Sequence, residues 1–414
     1  MKKITTHLVT FLMMMPFLLP AQNAEQQQWI KLNGYVRNDV IFDSRENIIS
    51  NNGLFIFFPL PENKLDDGKD ANANPTLTML ALTTRMIGTF RTPDVFNAKV
   101  SGRIEGDFTL SAGASGFRLR HAYGQLAWEN TKLLFGQTWV PSFVENCVPT
   151  VVGIATGAPY QEFARNPQIR FTQQLGKMGL LVAVVSQMDY ASPGPDGANP
   201  VYMRRAVVPE IDLGLNYGNN HWLFGVLSAV KTIKPRNLTY GEGNKSTFKS
   251  SETLTTYSIK GYAKYYREKW ALKAAATYGK NLCENSMVGG YGVSKIDSLT
   301  GAEKYTPSSG INSWLNFVYG EKWKGSLTVG YGYNFGFDEP LYHDYNRLWG
   351  RGLEIEKLYR IVPSVFYNIG KFQIALEYEL NTAYYGKLNF ERGCVENSKP
   401  ITNHRILFIT SFLF

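Results

Sequence analysis

From residue 31 to residue 414 the chain alternates apolar and polar positions in segments of roughly ten residues, broken by stretches rich in Gly, Pro, Asn and Asp. The stretch 98–110 is the clearest. Ala98, Val100, Gly102, Ile104, Gly106, Phe108 and Leu110 fall on one side, and Lys99, Ser101, Arg103, Glu105, Asp107 and Thr109 on the other. A period of two places the sets on opposite faces of a strand, one dry and one wet. The same reading predicts sixteen strands, over 31–42, 79–90, 98–110, 117–128, 131–139, 168–175, 179–189, 205–217, 221–231, 254–267, 269–280, 310–320, 323–335, 356–368, 371–382 and 403–414.

A soluble antiparallel sandwich alternates in the same way, so the connections must decide. The breaks after the even-numbered strands are tight, as at Glu129-Asn130, Gly218-Asn219-Asn220, Glu321-Lys322 and Ile369-Gly370, while most breaks after odd-numbered strands are long. A sandwich has no reason to sort its loops by parity. An even count, short turns on one rim and long loops on the other predict an all-β protein: a transmembrane antiparallel β-barrel of 16 strands with short periplasmic turns and long extracellular loops. The strand over 371–382 sets Phe372, Ile374, Leu376, Tyr378 and Leu380 against Lys371, Gln373, Glu377, Glu379 and Asn381, a lipid face and a water face. The last segment, NHRILFITSFLF, ends on Phe414 with Ile406, Phe408, Thr410 and Phe412 on one side, resembling the assembly signal of outer-membrane barrels. Sheet edges cannot be left in hydrocarbon, so this strand is expected to pair with the first.

The N-terminal MKKITTHLVTFLMMMPFLLPAQNA has two lysines, a short apolar run and small residues, as a secretory signal peptide does. It predicts a signal over 1–24, cleaved after Ala21 or Ala24, and a single barrel domain over 25–414 in a bacterial outer membrane. No later apolar run approaches the ~18 residues of a membrane helix. The net charge of +9 points to anionic solutes or surfaces, and export leaves no role for nucleic acid. Cys147, Cys283 and Cys394 allow one disulfide in any of three pairings and fit no zinc spacing.

With apolar faces outward, the lumen receives Arg37, Arg85, Lys99, Arg103, Arg170, Lys260, Lys264, Lys273, Lys324, Arg360, Lys371 and Arg405 against Asp39, Glu105, Asp107, Glu210, Asp212, Glu377 and Glu379. Cations outnumber anions, which predicts a pore that concentrates anions; the plainer alternative is that these charges pair with each other. FRLRHAYGQLAWENTKLLFGQTW, 117–139, breaks parity, because Arg118 and Arg120 share a face with Ala122 and Leu126. An arginine facing mid-membrane lipid costs roughly 2 to 4 kcal/mol. Hence a bulge near His121, or a position above the hydrocarbon, is expected to bring both arginines to the lumen. The long connection 140–167 between strands five and six carries the small, apolar VPTVVGIATGAPY. It is expected to fold into the lumen as a constriction loop, with Glu145, Glu162 and Arg165 as rim charges; the alternative is a contact with a neighbouring subunit.

The runs EGDF (105–108), FRLRHAYGQL (117–126) and LLFGQTW (133–139), followed by a proline-rich loop, resemble the DcaP-like family of trimeric outer-membrane porins over 102–171. That resemblance implies a homotrimer in outer-membrane lipid, passive uptake of small anions such as dicarboxylates, no cofactor, and a basic constriction mapping to Arg118, Arg120 and Arg170. Two departures stand beside it. Better-known members carry a helical N-terminal extension, whereas here only a short segment around AEQQQW precedes the first strand, and the long loops differ. An adhesin, a structural barrel or a barrel enzyme with a closed lumen is the rival reading. His121, His221 and His343 are available, but no GxSxG elbow accompanies them. DEPLYHDYN, 338 onward, has metal-ligand residue types, and YGEGNKST lacks the second glycine of a phosphate loop at Asn244.

Overall fold

The computed structural model describes residues 28–109, 116–241 and 246–414; the expected signal peptide lies outside them. Sixteen antiparallel wall strands close on themselves. They are β1 (Trp29–Asp43), β2 (Arg85–Val95), β3 (Ala98–Asp107), β4 (Arg118–Ala127), β5 (Thr131–Trp139), β6 (Arg165–Leu175), β7 (Met178–Val185), β8 (Glu210–Gly218), β9 (Trp222–Ile233), β10 (Leu254–Tyr266), β11 (Trp270–Lys280), β12 (Glu303–Gly320), β13 (Trp323–Phe337), β14 (Ile355–Ile369), β15 (Phe372–Asn389) and β16 (Cys394–Leu413). β16 returns to β1 in an unbroken register from Tyr35↔Leu413 to Asp43↔Arg405. Closure leaves no row of unpaired amides in the wall.

The alternation works as the sequence predicts. Along β16, Arg405, Leu407, Ile409 and Ser411 are buried inside, while Ile406, Phe408 and Phe412 are exposed on the lipid side. On the tight-turn rim, aromatic rings form a belt: Trp222 and Tyr265 lie 4.6 Å apart, Tyr265 and Trp270 5.3 Å, and Trp323 and Tyr367 4.2 Å. Rings with one apolar and one wet end suit the membrane interface.

Departures from the predicted strands have local causes. The expected second strand, 79–90, is split. Thr76–Leu80 pairs with the upper half of β1, Arg85–Val95 with the lower half, and the break lets Thr83 donate to Asp39 at 2.8 Å. The strand expected from 205 starts at Glu210, because Val201–Ala206 forms a short helix, α1, that ends on Val207 in the left-handed region. β12, β15 and β16 run past the lipid zone, where Gly289–Ile296 and Leu348–Arg351 continue the sheet above it. There neither face meets hydrocarbon, so the alternation that marks a membrane strand is lost.

The bulge falls where the parity fails. Glu105 faces His121, yet the next residue, Gly106, faces Leu119, so Arg120 is the extra residue of β4. Leu119 stays outside at 47% exposure, while Arg120 and His121 are both buried on the lumen side and Arg118 reaches the inward-facing Asp107. Two positions later Tyr123 faces Gly136 of β5, whose φ is +122°. A Cβ at Gly136 would meet the Ala122 carbonyl oxygen at 2.3 Å, which explains the glycine in LLFGQTW.

Candidate functional site in the lumen

Two inserts occupy the barrel. The first is the connection 140–164, folded inward as expected and laid against the walls of β10 to β15. Pro141, Pro149 and Pro159 deprive it of amides, and it forms only a short 3-10 turn, so its carbonyls need partners from outside. The wall supplies them. Lys273 Nζ donates to the Val148 carbonyl at 2.9 Å and to Thr150 Oγ1 at 2.7 Å, and Ser326 Oγ donates to the Thr150 carbonyl at 2.6 Å. Arg360 Nη1 donates to the Ala158 carbonyl at 2.9 Å, and Arg37 Nη2 to that of Val152 at 2.9 Å. In return Glu377 accepts the amides of Val152 and Gly153 at 2.5 and 2.9 Å.

The second insert is a hairpin, Asn47–Ser50 paired with Phe55–Pro59, which turns into the lumen from the long-loop side. Phe55, Phe57 and Phe58 are buried in the same core as Trp139 at the end of β5 and Phe143 and Phe163 of the constriction loop. Arg360 Nη2 donates to the carbonyls of Ile56 at 3.2 Å and Phe57 at 3.0 Å, and Tyr385 donates its hydroxyl to that of Pro59 at 2.8 Å. Sequence reading missed this element; its one signal was the unbroken apolar run FIFF inside a long polar connection.

With the loop on β10 to β15, the bank of β1 to β6 is left facing it, and this bank is basic. Glu105 and Asp107 sit at its centre. Arg120 bridges them at 2.8 Å each, Arg85 approaches Glu105 at 3.2 Å, Arg118 approaches Asp107 at 3.3 Å, and Arg103 also pairs with Glu105. Four guanidinium groups on two carboxylates leave an excess of positive charge. Arg120 is the buried strut at 4% side-chain exposure, whereas Arg103 is 35% exposed and presents its group to the lumen. Arg37 pairs with Asp39 at 2.6 Å. Arg170 and Lys264 also face inward; Arg170 donates to Gln168 Oε1 at 2.9 Å, and the Lys264 ammonium stands 4.9 Å over the Tyr266 ring.

Several expected pore-lining residues are structural instead. Lys260 and Glu162 pair at 2% exposure each, with Thr277 also on Glu162, so neither is a rim charge. Arg165 is buried, pairs with Asp189 at 2.7 Å and covers Trp139 at 4.8 Å from the ring centre. Arg360 is spent on the two inserts, with Glu379 3.4 Å away. Of the expected rim charges only Glu145 is exposed. The physical reason is burial: a charge under a packed loop must pair, so these residues were recruited as fasteners. The three cysteines are all free. His121 is held by Thr138 at 2.9 Å and His343 pairs with Glu391 at 2.9 Å. Among the described residues, no group of three or more His, Cys, Asp or Glu is placed to hold a metal ion. Residues 242–245 of the phosphate-loop-like stretch lie outside the described residues.

No protein-family profile matches the chain, and no curated protein matches its sequence. Solved structures do. The outer membrane channel DcaP of Acinetobacter baumannii is similar at 19% identity, over 96% of this chain and 100% of that one, with a TM-score of 0.67. OmpT of Vibrio cholerae matches at 9% identity over 95% and 99% of the two chains, with a TM-score of 0.54. OmpF of Salmonella typhi, solved with daunomycin, matches at 11% identity over 93% and 97%, with a TM-score of 0.50. At such identities the likeness is one of fold, and it agrees with the lipid-facing band and the sorted loops in placing the barrel in a bacterial outer membrane. The chain has the fold of the outer-membrane porins.

Proposed function

We propose that the mature protein, after loss of its signal peptide at Ala21 or Ala24, is a porin through which small hydrophilic solutes diffuse without energy input, with a preference for anions of the carboxylate type. The observation that carries this reading is the set of four arginines on Glu105 and Asp107, opposite a loop that narrows the lumen. An entering anion exchanges its hydration for charge-assisted hydrogen bonds from Arg103, Arg118 and Arg85, whose own carboxylates already take part of their charge. That sharing keeps binding weak enough for release. OmpT of Vibrio cholerae, alike in fold, has been solved in a trimer form, and we extend the same assembly to this chain.

The test is single-channel recording in a planar bilayer under a KCl gradient. Triplet current steps with chloride favoured are the expected result, and Arg103→Gln with Arg118→Gln should move the reversal potential toward cations. An unmoved potential refutes the role of the two arginines. The filling of the lumen by two inserts favours one rival, a closed barrel serving as an adhesin or structural protein; a silent bilayer despite confirmed insertion would establish it.

A further inference from the structure

Below the constriction loop, toward the tight-turn rim, lies a cavity of about 190 Å³ between the loop and β6 to β10. At ~30 Å³ per water it holds the equivalent of about six waters, the room taken by a leucine-sized solute. Its walls differ from the basic bank. On one side are two opposite charges, Arg170 of β6 and Glu145 of the loop. Among the described residues Arg170 makes no direct salt bridge: Glu145 and Asp212 are its anionic neighbours across the cavity, and its hydrogen bonds go to neutral oxygens, Gln168 Oε1 and the Trp139 carbonyl. On the other side are Leu181, Leu223, Leu227 and Tyr262, which line the same cavity from β7, β9 and β10.

Leucines pointing into an aqueous barrel meet no lipid, and the alternation that brings Arg170, Thr172 and Gln174 to this cavity has polar residues available for such positions. A cavity with an apolar wall and a few convergent polar groups is the usual form of a small-molecule site. We propose that this vestibule is a binding subsite for zwitterionic α-amino acids with an apolar side chain: the carboxylate on Arg170, the ammonium on Glu145, the side chain against Leu181, Leu223 and Leu227. Such a solute satisfies both charges at once, whereas a plain anion leaves Glu145 opposed to it. Access from outside rests on the channel reading, but the site itself does not.

Saturation-transfer NMR on the full-length protein in detergent tests the site without requiring conduction. The probes are L-leucine, 4-methylpentanoate, which lacks the ammonium, and 3-methylbutylamine, which lacks the carboxylate. Leucine methyl groups should receive saturation and bind about tenfold more tightly than either analogue, the weight of one charge-assisted hydrogen bond. Equal binding of the three overturns the proposal in the wild-type protein alone, whatever the variants do. Glu145→Gln should remove the advantage of leucine over 4-methylpentanoate, and Arg170→Gln its advantage over the amine; unchanged ratios in folded variants also overturn it. A silent bilayer alongside selective leucine binding would refute the channel reading and leave the subsite standing.

Discussion

Glu162→Ala removes one half of the pair that fastens the far limb of the constriction loop. Glu162 and Lys260 are each 2% exposed, so the substitution leaves an ammonium under the loop with only Gln161 Oε1, at 3.2 Å, to accept from it. Breaking a buried pair from one side costs roughly 3 to 5 kcal/mol. The neutral hydrogen bonds that hold the same limb, Trp314 Nε1 to Gln161 at 2.8 Å, Ser286 Oγ to the Phe163 carbonyl at 3.0 Å and the Phe163 amide to the Asn285 carbonyl at 2.8 Å, contribute about 1 kcal/mol each, about 3 kcal/mol together. The stranded charge therefore matches or exceeds them, and the limb should lift until Lys260 reaches water. In single-channel recording the variant should show a larger mean conductance and slow flicker between levels, with its barrel intact by heat-dependent gel mobility. Replacing both partners, Glu162→Leu with Lys260→Met, leaves no charge to solvate and should return the trace toward that of the wild type. A steady, wild-type trace from Glu162→Ala, or a double variant as noisy as the single one, would refute this account of the loop.

Arg360→Met removes donors from Ala158, Ile56 and Phe57 together, and at ~1 kcal/mol or more per bond the hairpin 47–59 should become accessible to protease from the long-loop side while the wall stays resistant. Native protein should take up one maleimide, at the half-buried Cys394, and three after unfolding, because Cys147 and Cys283 are buried thiols; two rapid native adducts would contradict the packing of the loop. In the turn 61–74, outside the membrane, the Asn63 amide donating to Asp70, with further help from Asn72 and Arg45, holds the Asp70 carboxyl below its ordinary 3.8. A depressed carboxyl stabilises the turn above that ordinary value and loses its contribution as pH falls through the folded one. Slow exchange of the Asn63 amide should thus persist at pH 5 to 6, about one to two units above the ordinary value, and disappear in stronger acid; exchange protection that ignores acid would speak against the Asp70 contact.

The wall was legible because lipid imposes a rule on it. Every residue between the two rims must satisfy alternation, so fifteen of the sixteen expected strands correspond to one continuous strand each, the split before Arg85 being the exception. Even the bulge at Arg120 could be foreseen, since an arginine in hydrocarbon is costly enough to bend the strand around it. The lumen follows no comparable rule. Whether Lys260 faces water or Glu162 depends on a loop packed across it from 98 residues away, and no local pattern carries that distance. For the same reason residue types suggested a rim of Glu145, Glu162 and Arg165 but could not tell the exposed charge from the buried, fastened ones. The hairpin 47–59 escaped because loops outside the bilayer are freed from alternation, and an apolar run there has no face to declare.

The long reach of the loop contacts also orders the birth of the molecule. Val152 is tied to Glu377, 225 positions later, and Ile56 to Arg360, 304 positions later. Neither insert can seat until β14 and β15 exist, yet once β16 zips to β1 the interior is sealed laterally. The inserts must therefore settle during the last strand additions, acting as an internal mandrel on which the unfinished sheet curls. Contacts of such sequence separation make for slow folding. A chain that closes early would enclose water where Phe55 and Phe163 belong, and the same fasteners that shape the finished passage would then be the ones that reject it.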